Sequence, residues 1–107
     1  AKLLLKYKVD GVIATNTTTD RKGITSSRYS GEEGGLSGAP LNKKSTNVIK
    51  YLNKILKGKI PIIGVGGIMT AEDGVEKIKN GASLIQIYSG LIYKGHRLVN
   101  ELCKATW

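Results

Sequence analysis

The sequence has 107 residues, enough for one small domain with a modest core, and its 40% hydrophobic and 23% charged residues are ordinary for a globular protein. One cysteine, Cys103, and one histidine, His96, exclude a disulfide framework and a cysteine- or histidine-rich metal site, and fit a reducing compartment. The net charge of +9 raises nucleic acid or an anionic membrane as partners. Against this, lysines from Lys2 and Lys6 to Lys77 and Lys79 are scattered, mostly on the solvent sides of predicted helices. They lack the aromatic platform of a single-strand binder, so they read as a solvated surface with no nucleic-acid partner.

The chain opens AKLLLKYK, without an initiator methionine. The run is too short and too lysine-interrupted for a signal peptide, and it reads as the end of a helix that begins before residue 1. No stretch approaches the roughly 18 consecutive apolar residues of a membrane span. Val12-Ile13-Ala14 follows Asp10-Gly11, Ile62-Ile63-Gly64-Val65 follows Pro61, and Leu84-Ile85-Gln86-Ile87-Tyr88 follows Asn80-Gly81 by a few residues. Their brevity and β-branched content predict strands near 11–15, 61–65 and 84–88. The first two are expected to be buried on both faces, as in a parallel sheet; the polar Gln86 interrupts the third.

Thr15 to Pro40 forms a loop of roughly two dozen residues where β-to-α connections usually have two to six, a length that points to function rather than connection. From Asn42 to Lys57, Val48, Ile49, Leu52, Ile55 and Leu56 make one apolar helical stripe, with Ser45 or Asn42 placed to cap its start and Gly58 beyond its end. The next helix begins at Thr70, with Asp73 completing a capping-box pair, buries Val75 and Ile78, and stops at Asn80-Gly81. A last helix from His96 or Arg97 is expected to bury Leu98, Val99, Leu102 and Cys103. The alternation predicts an α/β chain of right-handed β-α-β units around a parallel sheet. Three strands leave both sheet edges open, so residues 1–107 read as a fragment of one larger α/β domain, with no linker and no repeat.

Gly64-Val65-Gly66-Gly67-Ile68 stands where a strand ends and a capped helix is about to begin, a place where backbone N–H groups can approach an anion. It is neither a dinucleotide fingerprint, because Met69 stands at its third glycine, nor a Walker loop. Taken alone, it is more often a tight turn. Tyr88-Ser89-Gly90 repeats the pattern at the end of the next strand, before a short helical stretch. Two adjacent strand-end glycine sites match the phosphate position of an eightfold barrel. Thr15-Asn16-Thr17-Thr18-Thr19 offers a carboxamide with donor and acceptor sides beside several hydroxyls, although a polar capping turn has the same composition. Gly34-Gly35-Leu36-Ser37-Gly38-Ala39-Pro40 permits close backbone approach, and a flexible lid would read the same way.

Together these motifs resemble the class 2, quinone-dependent dihydroorotate dehydrogenases, in order and spacing: residues 10–18, 34–41, 60–68 and 81–90. The Thr-Asn-Thr-Thr run favours class 2 over class 1. The resemblance implies a C-terminal segment of a TIM (β/α)8 barrel, about strands 6 to 8, with FMN as cofactor. It implies that Thr15 and Gly38 contact FMN, that Gly67 lies by its phosphate, and that Tyr88 and Ser89 hold the phosphate, with Gly66, Gly90 and Ser37 as neighbours of these contacts. It assigns Asn16 and Thr17 to the dihydroorotate or orotate ring. In this family a serine base takes the C5 proton while hydride leaves C6 for the flavin, and a quinone reoxidises the flavin. That base falls before residue 1, so no catalytic residue is expected in this chain, which alone should be inactive. The quinone tunnel and the association with a bacterial or mitochondrial inner membrane would likewise belong to a preceding segment. Ser37 and Ser89 are not promoted to the vacancy, since neither has a His or carboxylate motif beside it. His96 reads as a surface residue and Cys103 as a small core hydrophobe. The alternatives are a class 1 enzyme or other FMN barrel oxidoreductase, and a remnant that binds no flavin.

Overall fold

The computed structural model describes residues 1–106. Each apolar run forms a strand shorter than expected: β1 (Val12–Ala14), β2 (Ile62–Val65) and β3 (Leu84–Gln86). They pair in parallel in the order β1-β2-β3, with Ile13 opposite Ile63 and Ile63 opposite Leu84. The helices are α1 (Lys2–Lys6), α2 (Asn42–Leu56), α3 (Ala71–Lys79), α4 (Ser89–Lys94) and α5 (His96–Thr106). Short 3-10 turns at Lys22–Ile24 and Ala39–Leu41 punctuate the long loop.

Ala14, Ile62 and Ala82 bury against Ile49 and Leu56 of α2, and a second cluster joins Ile68 to Leu98 and Leu102 of α5. The expectation of strands buried on both faces is corrected here. Only the face carrying Ala14, Ile62 and Gly64 is covered by helices. The opposite face carries a paired row, Ile13, Ile63 and Leu84, in which Ile13 is 57% and Leu84 50% exposed. Side chains alternate across a strand, so an apolar run buries both faces only where two layers cover the sheet.

Helix α3 carries the expected capping box: Thr70 accepts from the Asp73 amide, and Asp73 accepts from the Thr70 amide. Past the end of α2 the left-handed conformation begins one residue early, at Lys57, and continues at Gly58. Other details differ. The side chains of Asn42 and Ser45 do not cap α2, whose N-cap is Leu41. On α3 the buried residues are Gly74 and Lys77, with Val75 and Ile78 half-buried: Gly74 faces α5, where a Cβ would lie 2.3 Å from Leu102 Cδ2, and Lys77 faces α2. Val99 is 40% exposed and Cys103 is exposed, so the apolar stripe of α5 narrows to Leu98 and Leu102.

Ile49 and Val48 stand next to each other on α2, one wholly buried and the other 38% exposed. In the protein carrying these residues, Ile49→Ala should cost roughly 2–5 kcal/mol, whereas Val48→Ala should cost well under half of that. Urea denaturation of the two variants side by side checks the difference.

Candidate functional site

The C-terminal ends of the three strands open into one cleft of about 600 Å³. β1 delivers Thr15, whose amide donates to the Val65 carbonyl at 2.9 Å and so ties the end of β1 to β2. Thr15 Oγ1 then donates to the Asn16 carbonyl at 2.9 Å, and the Thr17 amide donates to Asn16 Oδ1 at 2.8 Å. These bonds orient the carboxamide: its oxygen is engaged within the turn, and Nδ2 is its donor side.

The long loop is held back onto its own base. Thr18 and Leu36 form a two-bond antiparallel bridge. The Arg21 guanidinium donates to the carbonyls of Thr18 (3.0 Å), Glu32 (3.2 Å) and Gly34. The returning strap places Ser37 and Gly38 over the cleft, with Ser37 Oγ 2.6 Å from Ser89 Oγ at the start of α4.

At the end of β2, Gly66 and Gly67 adopt φ of +127° and +67°. Their lack of a side chain has a cause that motif reading did not supply: a Cβ on Gly67 would sit 2.5 Å from the Asn42 amide nitrogen. A Cβ on Gly90 would sit 2.1 Å from the Ile68 carbonyl oxygen. Both glycines are therefore fixed by backbone-to-backbone packing, whatever the cleft holds.

Thr15, Asn16, Thr17, Gly38, Gly66, Gly67, Tyr88, Ser89 and Gly90 all line this cleft. Gly66, Gly67 and Gly90 form its buried floor, while Asn16, Thr17 and Tyr88 stand exposed. His96 and Cys103 lie away from it, and both are exposed. Ile13, Val65 and Ile87 add an apolar wall, and Gln86 lies on the same wall. A single polar residue inside an apolar strand was the available signal for Gln86. Among the described residues, no acidic or basic side chain lines the cleft, and no His, Cys, Asp and Glu group is placed to hold a metal. Backbone amides, hydroxyls and one or two carboxamides are what the site offers a ligand.

Lys77 gave no signal at all. Sequence reading put it on the solvent side of its helix, yet it has no exposed surface. Its ammonium donates to the Asn42 carbonyl at 2.9 Å and to Thr46 Oγ1 at 2.7 Å, while Thr46 Oγ1 donates in turn to the Asn42 carbonyl at 3.0 Å. Burial pushes the Lys77 pKa down to about 8, against the opposing pull of the Asp73 and Glu76 carboxylates. At neutral pH it still carries its charge.

The family model for dihydroorotate dehydrogenase matches residues 1–106. The chain is 57% identical over 104 residues to the dihydroorotate dehydrogenase (quinone) of Nitrosospira multiformis, covering 97% of this chain and 30% of that protein. It is 58% identical over 102 residues to the same enzyme of Wigglesworthia glossinidia brevipalpis, covering 95% of this chain and 30% of the relative. Among solved structures it is similar to DHODH of Eimeria tenella in complex with ferulenol, with a TM-score of 0.90 and 36% identity, covering 97% of this chain and 28% of the other. The chain thus spans about 30% of the length of the curated relatives it matches, and its β-α units are a segment of that family's TIM barrel.

The buried lysine makes stability depend on alkaline pH. Its pKa is about 8 in the fold against 10.5 for the free side chain, so between these values the unfolded chain binds more protons and stability rises with pH. Below about pH 8 both states are charged and the full burial cost is present; above about 10.5 neither is. At about 1.4 kcal/mol per pH unit, the gain across this window is on the order of 3 kcal/mol. Urea midpoints of the protein and its Lys77→Met variant, compared at pH 7, 9 and 10.5, should show the wild type gaining on the variant as pH rises.

Proposed function

The chain belongs to the dihydroorotate dehydrogenase family, and from that premise we propose that it forms one wall of the FMN site in an enzyme that oxidises dihydroorotate to orotate and passes the electrons to a quinone. The observation that carries this reading is the convergence of three strand-end loops and the returning strap on one cleft. Its volume of about 600 Å³ lies within the range of small-molecule and cofactor sites. Its donor set also fits: an apolar wall of Ile13, Val65 and Ile87 for a flat ring, hydroxyls of Thr15, Thr17, Ser37 and Ser89, and no carboxylate to repel a phosphate.

When bound, FMN supplies the acceptor for the hydride that leaves the substrate. The residues of this chain bind and orient. Gly66, Gly67, Tyr88, Ser89 and Gly90 surround the phosphate, and Ser89, already paired with Ser37, couples that end of the site to the strap. Thr15 and Gly38 flank the ring. Asn16 presents Nδ2 to the dihydroorotate ring while its oxygen is steadied by the Thr17 amide, and Thr17 adds its hydroxyl. The strap also limits the entry of water from its side. No residue here is assigned as the base: Ser37 and Ser89 bond to each other rather than to a His or a carboxylate, and a serine elsewhere in the enzyme takes the C5 proton. The quinone and membrane contacts belong to other segments as well; among the described residues no helix is long and apolar enough to cross a membrane.

In the complete enzyme, Asn16→Ala should lower kcat/KM for dihydroorotate by about 10- to 100-fold, since it leaves a polar group of the substrate unpaired at roughly 1–3 kcal/mol. Flavin content should hold. Loss of flavin with unchanged substrate affinity would reverse the role given to Asn16. The 107 residues alone, assayed with dihydroorotate, FMN and a quinone analogue, should show no turnover; measurable turnover would place a base within them.

A further inference from the structure

Lys77 is wholly buried, in a chain with 17 lysines and arginines that otherwise mostly face solvent. A methionine would fill nearly the same volume without the cost of desolvating an ammonium, and apolar replacement of buried charges is often neutral or stabilising. Filling space therefore does not account for the charge. Its bonds give it a direction. Lys77 Nζ reaches the Asn42 carbonyl and Thr46 Oγ1 in the first turns of α2. The other end of the same residue, Asn42 Nδ2, donates to the Gly67 carbonyl at 2.9 Å. Asn42 also fills the space that a side chain on Gly67 would need. The path from ammonium to cleft floor is thus two hydrogen bonds through one residue.

We propose that Lys77 is a positioning residue for the phosphate end of the cofactor site: through Asn42 it fixes the Gly66-Gly67 turn and places a buried positive charge behind it. The inference rests on the reading that this turn and Ser89 hold the FMN phosphate. It gives the site what its lining lacks, because no Lys or Arg among the described residues faces the cleft. A cation held behind a water-excluded backbone turn acts on an anion through a lower dielectric than a surface lysine does. It also does so without closing the approach to the turn.

The test compares FMN with riboflavin, which lacks only the phosphate, by fluorescence titration of the complete apoenzyme. Wild-type enzyme should prefer FMN. Lys77→Met should weaken FMN on the order of tenfold, the scale seen for groups that orient a ligand-binding group without touching the ligand, and leave riboflavin affinity unchanged. Asn42→Ala, which cuts the path without disturbing the buried amine, should show the same selective loss, and the double variant should lose no more than the worse single. If Lys77→Met does not fold, Lys77→Gln, which keeps a donor toward α2 but removes the charge, takes its place and should show the same selective loss of FMN. Equal loss for both flavins, or no loss for either, would reduce Lys77 to a structural role and overturn the proposal. A wild-type enzyme without preference for FMN over riboflavin would instead sink the phosphate reading beneath it, a result the variants cannot imitate.

Discussion

The organisation of the cleft depends on how closely the first turn of α2 approaches the turn that ends β2. Asn42 lies where a side chain on Gly67 would have to be, and its carboxamide holds the Gly67 carbonyl. One turn on, Ser45 donates to the Val65 carbonyl, the same oxygen that receives the Thr15 amide. A single backbone oxygen at the end of β2 therefore joins β1 to α2. If α2 were to draw back, the end of β1, the glycine turn and the Ser37-Gly38 strap that leads into α2 would lose their common support.

This constraint separates what could be read in the sequence from what could not. The alternation of strands and helices, the capping box at Thr70 and Asp73, and the positions of the glycine turns rest on local rules, and local rules act on residues close in sequence. Each was legible. The convergence of the site residues was legible only as a resemblance, because nothing in Thr15–Thr17 or in Gly38 says which strand end it will meet. Asn42 was legible only as a cap candidate, and the burial of Lys77 was invisible for a physical reason: a lysine on an amphipathic helix carries the same signal whether its ammonium meets water or a carbonyl of another helix. Gly74 carried no long-range signal either: its missing side chain lets α5 approach, and only the packed helices reveal that contact.

The exposed row Ile13, Ile63 and Leu84 follows from a different limit. A run of apolar residues records that both faces of a strand will be buried, but not what buries them. Here the helices cover one face, and the other continues the wall on which Val65 and Gln86 meet the cleft. In a family whose members are about three times as long as this chain, the β-branched content of that wall is the signature of a barrel interior, packed by layers of side chains from successive strands. The same side chains thus serve two ends of one surface: deep in the sheet they want apolar neighbours, and at the strand ends they give way to Gln86, Thr15 and Ser89.

Charge is distributed by the same logic. The net charge of +9 resides almost wholly on side chains that water screens, and at physiological salt a surface charge is felt over only about 8 Å. Such charges can guide an anion toward the protein but cannot hold it in one place. Holding requires groups that do not move and are not screened, and in the proposed phosphate site these are backbone turns locked by backbone contacts: Gly67 against Asn42 and Gly90 against Ile68. Lys77 is the one described cation taken wholly out of water. Its ammonium bonds oxygens in the first turns of α2, so in our proposal the rigidity of the turn and the charge behind it come from a single side chain. A surface lysine moved to the rim of the cleft would add charge without that rigidity, and an apolar residue in place of Lys77 would pack the helices without the charge. Only a buried, hydrogen-bonded cation supplies both.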